Sequence, residues 1–207
     1  LDVLVHNAGA LLAERRVTED GLETTFQVHL VAPALLTHQL LPLLRRSEDA
    51  RVLWVTSGGM YSQKLVADRV QMGPEDCDGT TAYARAKRAQ VEMTGRWAER
   101  LADDGIVAHA MHPGWADTPG VEASLPTFRR IVGPFLRTPE QGADTIVWLA
   151  GAPRATIGTG ELWLDRRVRP RHKVPWTRAE DPEAEIDEVW DLVAGKAGLD
   201  DLVTSPA

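Results

Sequence analysis

Three short apolar runs constrain this chain most. Residues 1–5, 51–56 and 106–111 are rich in Val, Leu and Ile, and each ends in a polar or glycine-marked turn: Asn7-Ala8-Gly9, Ser57-Gly58-Gly59 and Pro113-Gly114. None of them alternates cleanly between apolar and polar residues, which is the pattern of strands covered on both faces. Between the first two, apolar residues recur at helical spacing over 22–44, with Pro33 and Pro42 placed to bend or divide the helix. Between the second and third, Thr80 or Thr81 can cap a helix that runs to about residue 101 and stops at Asp104-Gly105. A helix over 140–150, a last strand over 159–164 and a surface helix over 182–199 complete the reading. Strands alternating with helices predict an α/β chain with a parallel, doubly wound sheet. The stretch 113–139 holds five prolines and reads as short helices or a lid.

Composition narrows the function classes. A chain of 207 residues suits one domain, and a net charge of −7 gives no reason to expect nucleic acid. The single cysteine, Cys77, excludes an internal disulfide framework and a structural zinc site. The six histidines show no metal-ligand spacing, and His109 reads as a strand residue with a local hydrogen bond. There is no apolar run of about 18 residues to span a membrane, and no secretory signal opens the chain, so a cytoplasmic setting is the expectation. Arg166, Arg167, Arg169, Arg171 and Lys173 form a basic stretch that reads as a solvated tail. The first residue is Leu, and the chain opens on a strand with no G-x-G-x-x-G turn and no Walker-type loop anywhere. It therefore reads as a fragment.

Tyr83 and Lys87 stand at i and i+4, on one face of the second long helix. A free tyrosine, with a pKa of about 10, is a poor acid or base at neutral pH. A nearby ammonium favours the phenolate and would lower that value. In open α/β sheets ligands bind beyond the carboxyl ends of the strands. Asn7, Ser57 and Pro113-Gly114 all stand at such ends, and the Tyr83–Lys87 helix begins at the same edge.

Together these residues resemble the short-chain dehydrogenase/reductase family. Asn7-Ala8-Gly9 is similar to its N-A-G turn, Ser57 to its catalytic serine, Tyr83 and Lys87 to its Y-x-x-x-K pair, and Pro113-Gly114 with Thr118 to its P-G-x-x-x-T segment. The strings at 18–23, 57–60 and 112–121 narrow the resemblance to one branch of that family. It implies a Rossmann-like doubly wound sheet truncated at its N-terminus, holding strands 4–7 of the usual seven. Residues 1–165 would be the C-terminal part of that domain, with a substrate loop at 115–138, and 166–207 a C-terminal extension.

The resemblance also implies NAD- or NADP-dependent interconversion of a carbonyl and an alcohol by the full-length product. Ser57, Tyr83 and Lys87 would be catalytic. Asn7, Ala8, Gly9, Tyr83, Lys87, Pro113, Gly114 and Thr118 would contact the cofactor, with no metal. Trp115, Leu125, Phe128 and Phe135 would offer apolar surface to a small-molecule substrate. Members commonly carry Asn in the Phe26–His29 neighbourhood, holding a water beside the lysine; this chain has His29. Residues 61–79 read as an inserted loop between Ser57 and Tyr83. Without a glycine-rich turn, the 207 residues alone are expected to be inactive or nearly so. The alternative is a non-catalytic binding or interaction protein, and either form could assemble as a homo-oligomer through the open side of its first strand.

Overall fold

β1 (Val3–His6), β2 (Arg51–Val55), β3 (Val107–Met111) and β4 (Leu162–Leu164) lie side by side in parallel, in chain order. A fifth strand, β5 (Arg167–Val168), turns back antiparallel on β4. The computed structural model describes residues 1–76, 78–115 and 136–199. Leu4 pairs with Val52, Val52 with Ala108, and Ala110 with Leu162, so the carboxyl ends of the parallel strands share one edge. The sequence reading had four parallel strands; β5 falls in its basic tail. The β4–β5 turn is Asp165-Arg166, both at φ 55°, the left-handed region that suits a two-residue hairpin.

The central strands are buried on both faces, as their patterns require. Val52, Trp54, Ala108 and Ala110 face one apolar cluster, and Leu53, Val107 and Met111 face another. Burying each of the Val, Leu and Met side chains contributes roughly 1.5–3 kcal/mol relative to exposure. Connections run helically over the faces. α1 (Thr24–Phe26) is capped by Glu23, whose carboxylate accepts from the Thr25 and Phe26 amides. A π-turn over Gln27–Val31 joins it to α2 (Ala32–Leu44). The turn has a local cause. Pro33 has no N–H to offer the carbonyl of His29, and the Ala32 amide reaches back to Gln27 instead. Gln90 Nε2 takes the freed His29 carbonyl at 2.8 Å.

α3 (Gly79–Arg100) carries Tyr83 and Lys87. Its cap is Asp78, which accepts from the Thr80 and Thr81 amides, rather than either threonine. The stretch before it holds three short 3-10 turns, Gly58–Ser62, Ala67–Arg69 and Pro74–Asp76. α4 (Pro139–Gly151) starts from a Thr138–Gln141 capping box. The short α5 (Arg154–Ile157) leads towards β4. α6 (Pro182–Ala197) packs on the core: Trp190 meets Trp97 at 4.8 Å, and Trp97 stacks on Trp54 at 5.8 Å. Among the described residues no helix is long and apolar enough to cross a membrane.

Candidate active site

The carboxyl edge of the sheet gathers the residues that the sequence singles out. Asn7, Ala8 and Gly9 follow β1 on the surface; Ser57 follows β2; Pro113 and Gly114 follow β3. Gly114 has φ 75°, where a side chain is strained, and a Cβ there would stand 2.8 Å from Arg137 Nε. Thr118, Leu125, Phe128, Phe135 and Cys77 lie outside the described residues.

α3 enters this edge with Tyr83 and then Lys87. Tyr83 and Ser57 share the wall of one cleft, the Ser57 hydroxyl favours ionisation of the Tyr83 phenol, and Ser57 Oγ accepts from the Gly59 amide at 3.3 Å. Lys87 is 3% exposed, its Nζ donates to the Val55 carbonyl at 2.8 Å, and it stands 5.5 Å from the centre of the Tyr83 ring. Burial pushes the Lys87 ammonium down to about 7. The sequence reading had the ammonium depressing the tyrosine. The reverse holds: burial raises the Tyr83 phenol above its ordinary value, and the Ser57 hydroxyl opposes part of that rise. Lys87 spends one of its protons on a main-chain carbonyl instead.

His29 sits inside the π-turn, fully buried. Its Nδ1–H donates to the Thr25 carbonyl at 2.9 Å, which leaves Nε2 as an acceptor with no partner among the described residues. Its ring meets Tyr83 edge-on at 5.3 Å and 87°. Burial, then the charge of Lys87, lowers its pKa to about 3, so the ring is neutral. A Cβ on Gly9 would stand 2.7 Å from Nε2, which accounts for a glycine there.

A cleft of about 520 Å³ opens beside Ser57 and Tyr83, walled by Leu11, Tyr61, Ala84 and Trp115. Trp115 was legible in the sequence; Leu11 and Tyr61 were missed, although each stands only a few residues beyond a marked turn. His109 is satisfied locally, donating through Nε2 to Gly158 and accepting at Nδ1 from the Glu161 amide and Trp163 Nε1. Among the described residues no group of His, Cys, Asp and Glu could hold a metal ion.

A family model for short chain dehydrogenase matches residues 1–127. The chain belongs to that family. It is 43% identical over 93% of its length to dehydrogenase/reductase SDR family member 12 of Bos taurus, and spans 60% of that protein. A crystal structure of an uncharacterized protein from Mycobacterium Paratuberculosis superposes with a TM-score of 0.70 at 23% identity, covering 95% of this chain and 67% of that one. The 3-ketoacyl-(acyl-carrier-protein) reductase of Brucella melitensis, solved with NADH, gives 0.59 at 22% identity, with coverages of 78% and 64%. These structures share the fold. This short chain dehydrogenase carries its Tyr83–Lys87 pair on the helix that follows β2, at the carboxyl edge of the sheet.

Proposed function

We propose that the product carrying this chain interconverts a carbonyl and an alcohol with NAD or NADP. One observation carries the reading: a Ser57–Tyr83 hydroxyl pair backed by a buried Lys87, opening on a cleft at the carboxyl edge of a parallel sheet. The residues fit the nicotinamide end of such a cofactor. Asn7, Ala8 and Gly9 form an exposed turn at the carboxyl edge, and the Lys87 ammonium has protons beyond the one given to Val55. When bound, the nicotinamide would supply or accept the hydride.

The remaining work falls to side chains of this chain. Tyr83 keeps its proton at neutral pH, which suits an acid that protonates a carbonyl oxygen during reduction. Ser57 donates to the same oxygen and stabilises the charge that develops there. Lys87 titrates close to neutrality, which suits a group that returns a proton to the tyrosine. Leu11, Tyr61, Ala84 and Trp115 favour a substrate with an apolar body.

The test is oxidation of NADH and NADPH by the full-length product across a carbonyl panel. Tyr83→Phe should lower turnover by about a hundredfold or more. Equal turnover in wild type and variant, or none across the panel, would overturn the reading. The 207 residues contain no glycine-rich phosphate turn, which favours a binding role without turnover for the chain taken alone. Dinucleotide titration of that chain separates the two: a folded, monodisperse chain that binds no dinucleotide supports the second reading.

A further inference from the structure

Arg88 follows Lys87 in sequence and lies fully buried on α3, most of which is buried. A buried guanidinium is costly unless its donors are used. Here Nη2 donates to the Met60 carbonyl at 2.8 Å and Nε to the Gln63 carbonyl at 3.0 Å. Nη1 donates to the Arg171 carbonyl at 2.7 Å and to Glu92 Oε1 at 3.0 Å. The first two acceptors lie in the middle and at the end of the turn that forms one wall of the cleft. The third belongs to the basic stretch beyond β5.

Tyr61, inside that turn, is held from the same stretch. Its hydroxyl donates to the Pro170 carbonyl at 3.0 Å, Lys173 Nζ lies 4.2 Å from its ring centre, and the buried His112 meets it edge-on at 5.8 Å. Glu92 closes the network, with Arg171 Nη1 at 3.7 Å and His172 Nε2 at 3.3 Å. Residues 170–173 thus back the wall from outside, and Arg88 is the clamp between them.

We propose that Arg88 is a positioning residue that fixes Tyr61 and the 58–63 wall to residues 170–173, so that the C-terminal segment sets which substrates fit the cleft. The proposal rests on the reading of that cleft as the substrate site. A lysine at 88 would keep the charge but could not span three carbonyls, because an ammonium lacks the planar fork. Glu92→Gln would keep the fork on its carbonyls while removing the ion pair.

The 207 residues hold two tyrosines, 61 and 83, so NMR of the chain labelled at tyrosine Cζ gives one signal from the wall and one from the chemical end of the cleft. In Arg88→Lys the Tyr61 signal should move or split; in Glu92→Gln, which keeps the three carbonyl bonds and loosens only the Arg171 and His172 contacts, it should move less, even where both variants lose the same melting temperature. In the full-length product, Arg88→Lys should raise KM for a bulky apolar ketone by about tenfold with kcat little changed, and should raise it less for a small one. A Tyr61 signal unchanged in folded Arg88→Lys, or moved equally by Glu92→Gln, would overturn the proposal. Should Arg88→Lys fail to fold, Tyr61→Phe in the full-length product decides: it cuts the wall's hydrogen bond to Pro170 and should raise KM for the bulky ketone, and an unchanged KM overturns the proposal. If the wild type turns over no ketone, the oxidoreductase reading fails, and the tyrosine comparison still decides whether Arg88 positions the wall.

Discussion

Lys87 donates its Nζ proton to the Val55 carbonyl at 2.8 Å, one strand residue short of the turn that carries Ser57. Thr56 answers by donating its hydroxyl to the Lys87 carbonyl at 2.9 Å. The helix and the strand end are therefore locked together where Tyr83 and Ser57 meet.

Burial of Lys87 gives stability a pH dependence. Lys87 ionises near 7 in the folded chain against 10.5 when exposed. Between those values the unfolded chain holds a proton that the folded chain has released, so this group's contribution to stability rises with pH across the window. Lys87→Met removes it. Wild type should gain stability relative to the variant between about pH 7 and about pH 10.5, as read from denaturant melts at several pH values.

Histidines set the acid limit. Burial holds His6, His109 and His112 down to about 4 and His29 to about 3. Below their ordinary value of 6.5 the unfolded chain binds protons that the folded chain refuses, so stability falls as pH drops from about 6.5 towards 4. Each such group contributes on the order of 1.4 kcal/mol per pH unit inside its window. His29→Gln should flatten the acid limb of the stability curve; a limb of unchanged slope would contradict this assignment.

Gly9→Ala would press a methyl on His29 Nε2, 2.7 Å away and fully buried. Overpacking of this kind costs about 1–3 kcal/mol. Because His29 is the obstacle, adding His29→Ala should recover part of the loss. A double-mutant cycle by urea unfolding should give a coupling of at least about 0.5 kcal/mol.

At Gly79 the obstacle is main chain: a Cβ would lie 1.7 Å from the Leu12 carbonyl oxygen. Alanine is the better helix former by about 1 kcal/mol. Gly79→Ala should nevertheless destabilise the chain, since α3 must shift bodily away from the segment after the N-A-G turn. Thermal unfolding checks the sign.

The legible parts of this molecule are those whose causes lie close together in sequence. Strands β1 to β3 follow from short apolar runs, their ends from the polar and glycine residues that come next, and the Tyr83–Lys87 face from i, i+4 spacing. Arg88 does not, because the carbonyls that justify its burial belong to residues 60, 63 and 171. β5 has only two residues, both exposed, and is defined by main-chain pairing alone. The i, i+4 spacing places the ammonium near Tyr83 and does not reveal that burial of the phenol raises its pKa. Trp190 carried no sign of whether it faced the core or a partner; its neighbour Trp97 is contributed by a distant helix.

The π-turn makes the length of this helical segment a matter of counting. His29 meets Tyr83 within the turn, and about two turns further on Thr37 accepts from His6 Nε2 at 2.8 Å while donating to the Pro33 carbonyl. An α-helix advances about 100° per residue. Deleting a single codon between these two anchors would relax the turn to ordinary helix and swing one of them off its partner. Over this stretch, insertions and deletions are therefore more severely constrained than substitutions, and drift among homologues should preserve spacing before it preserves side chains.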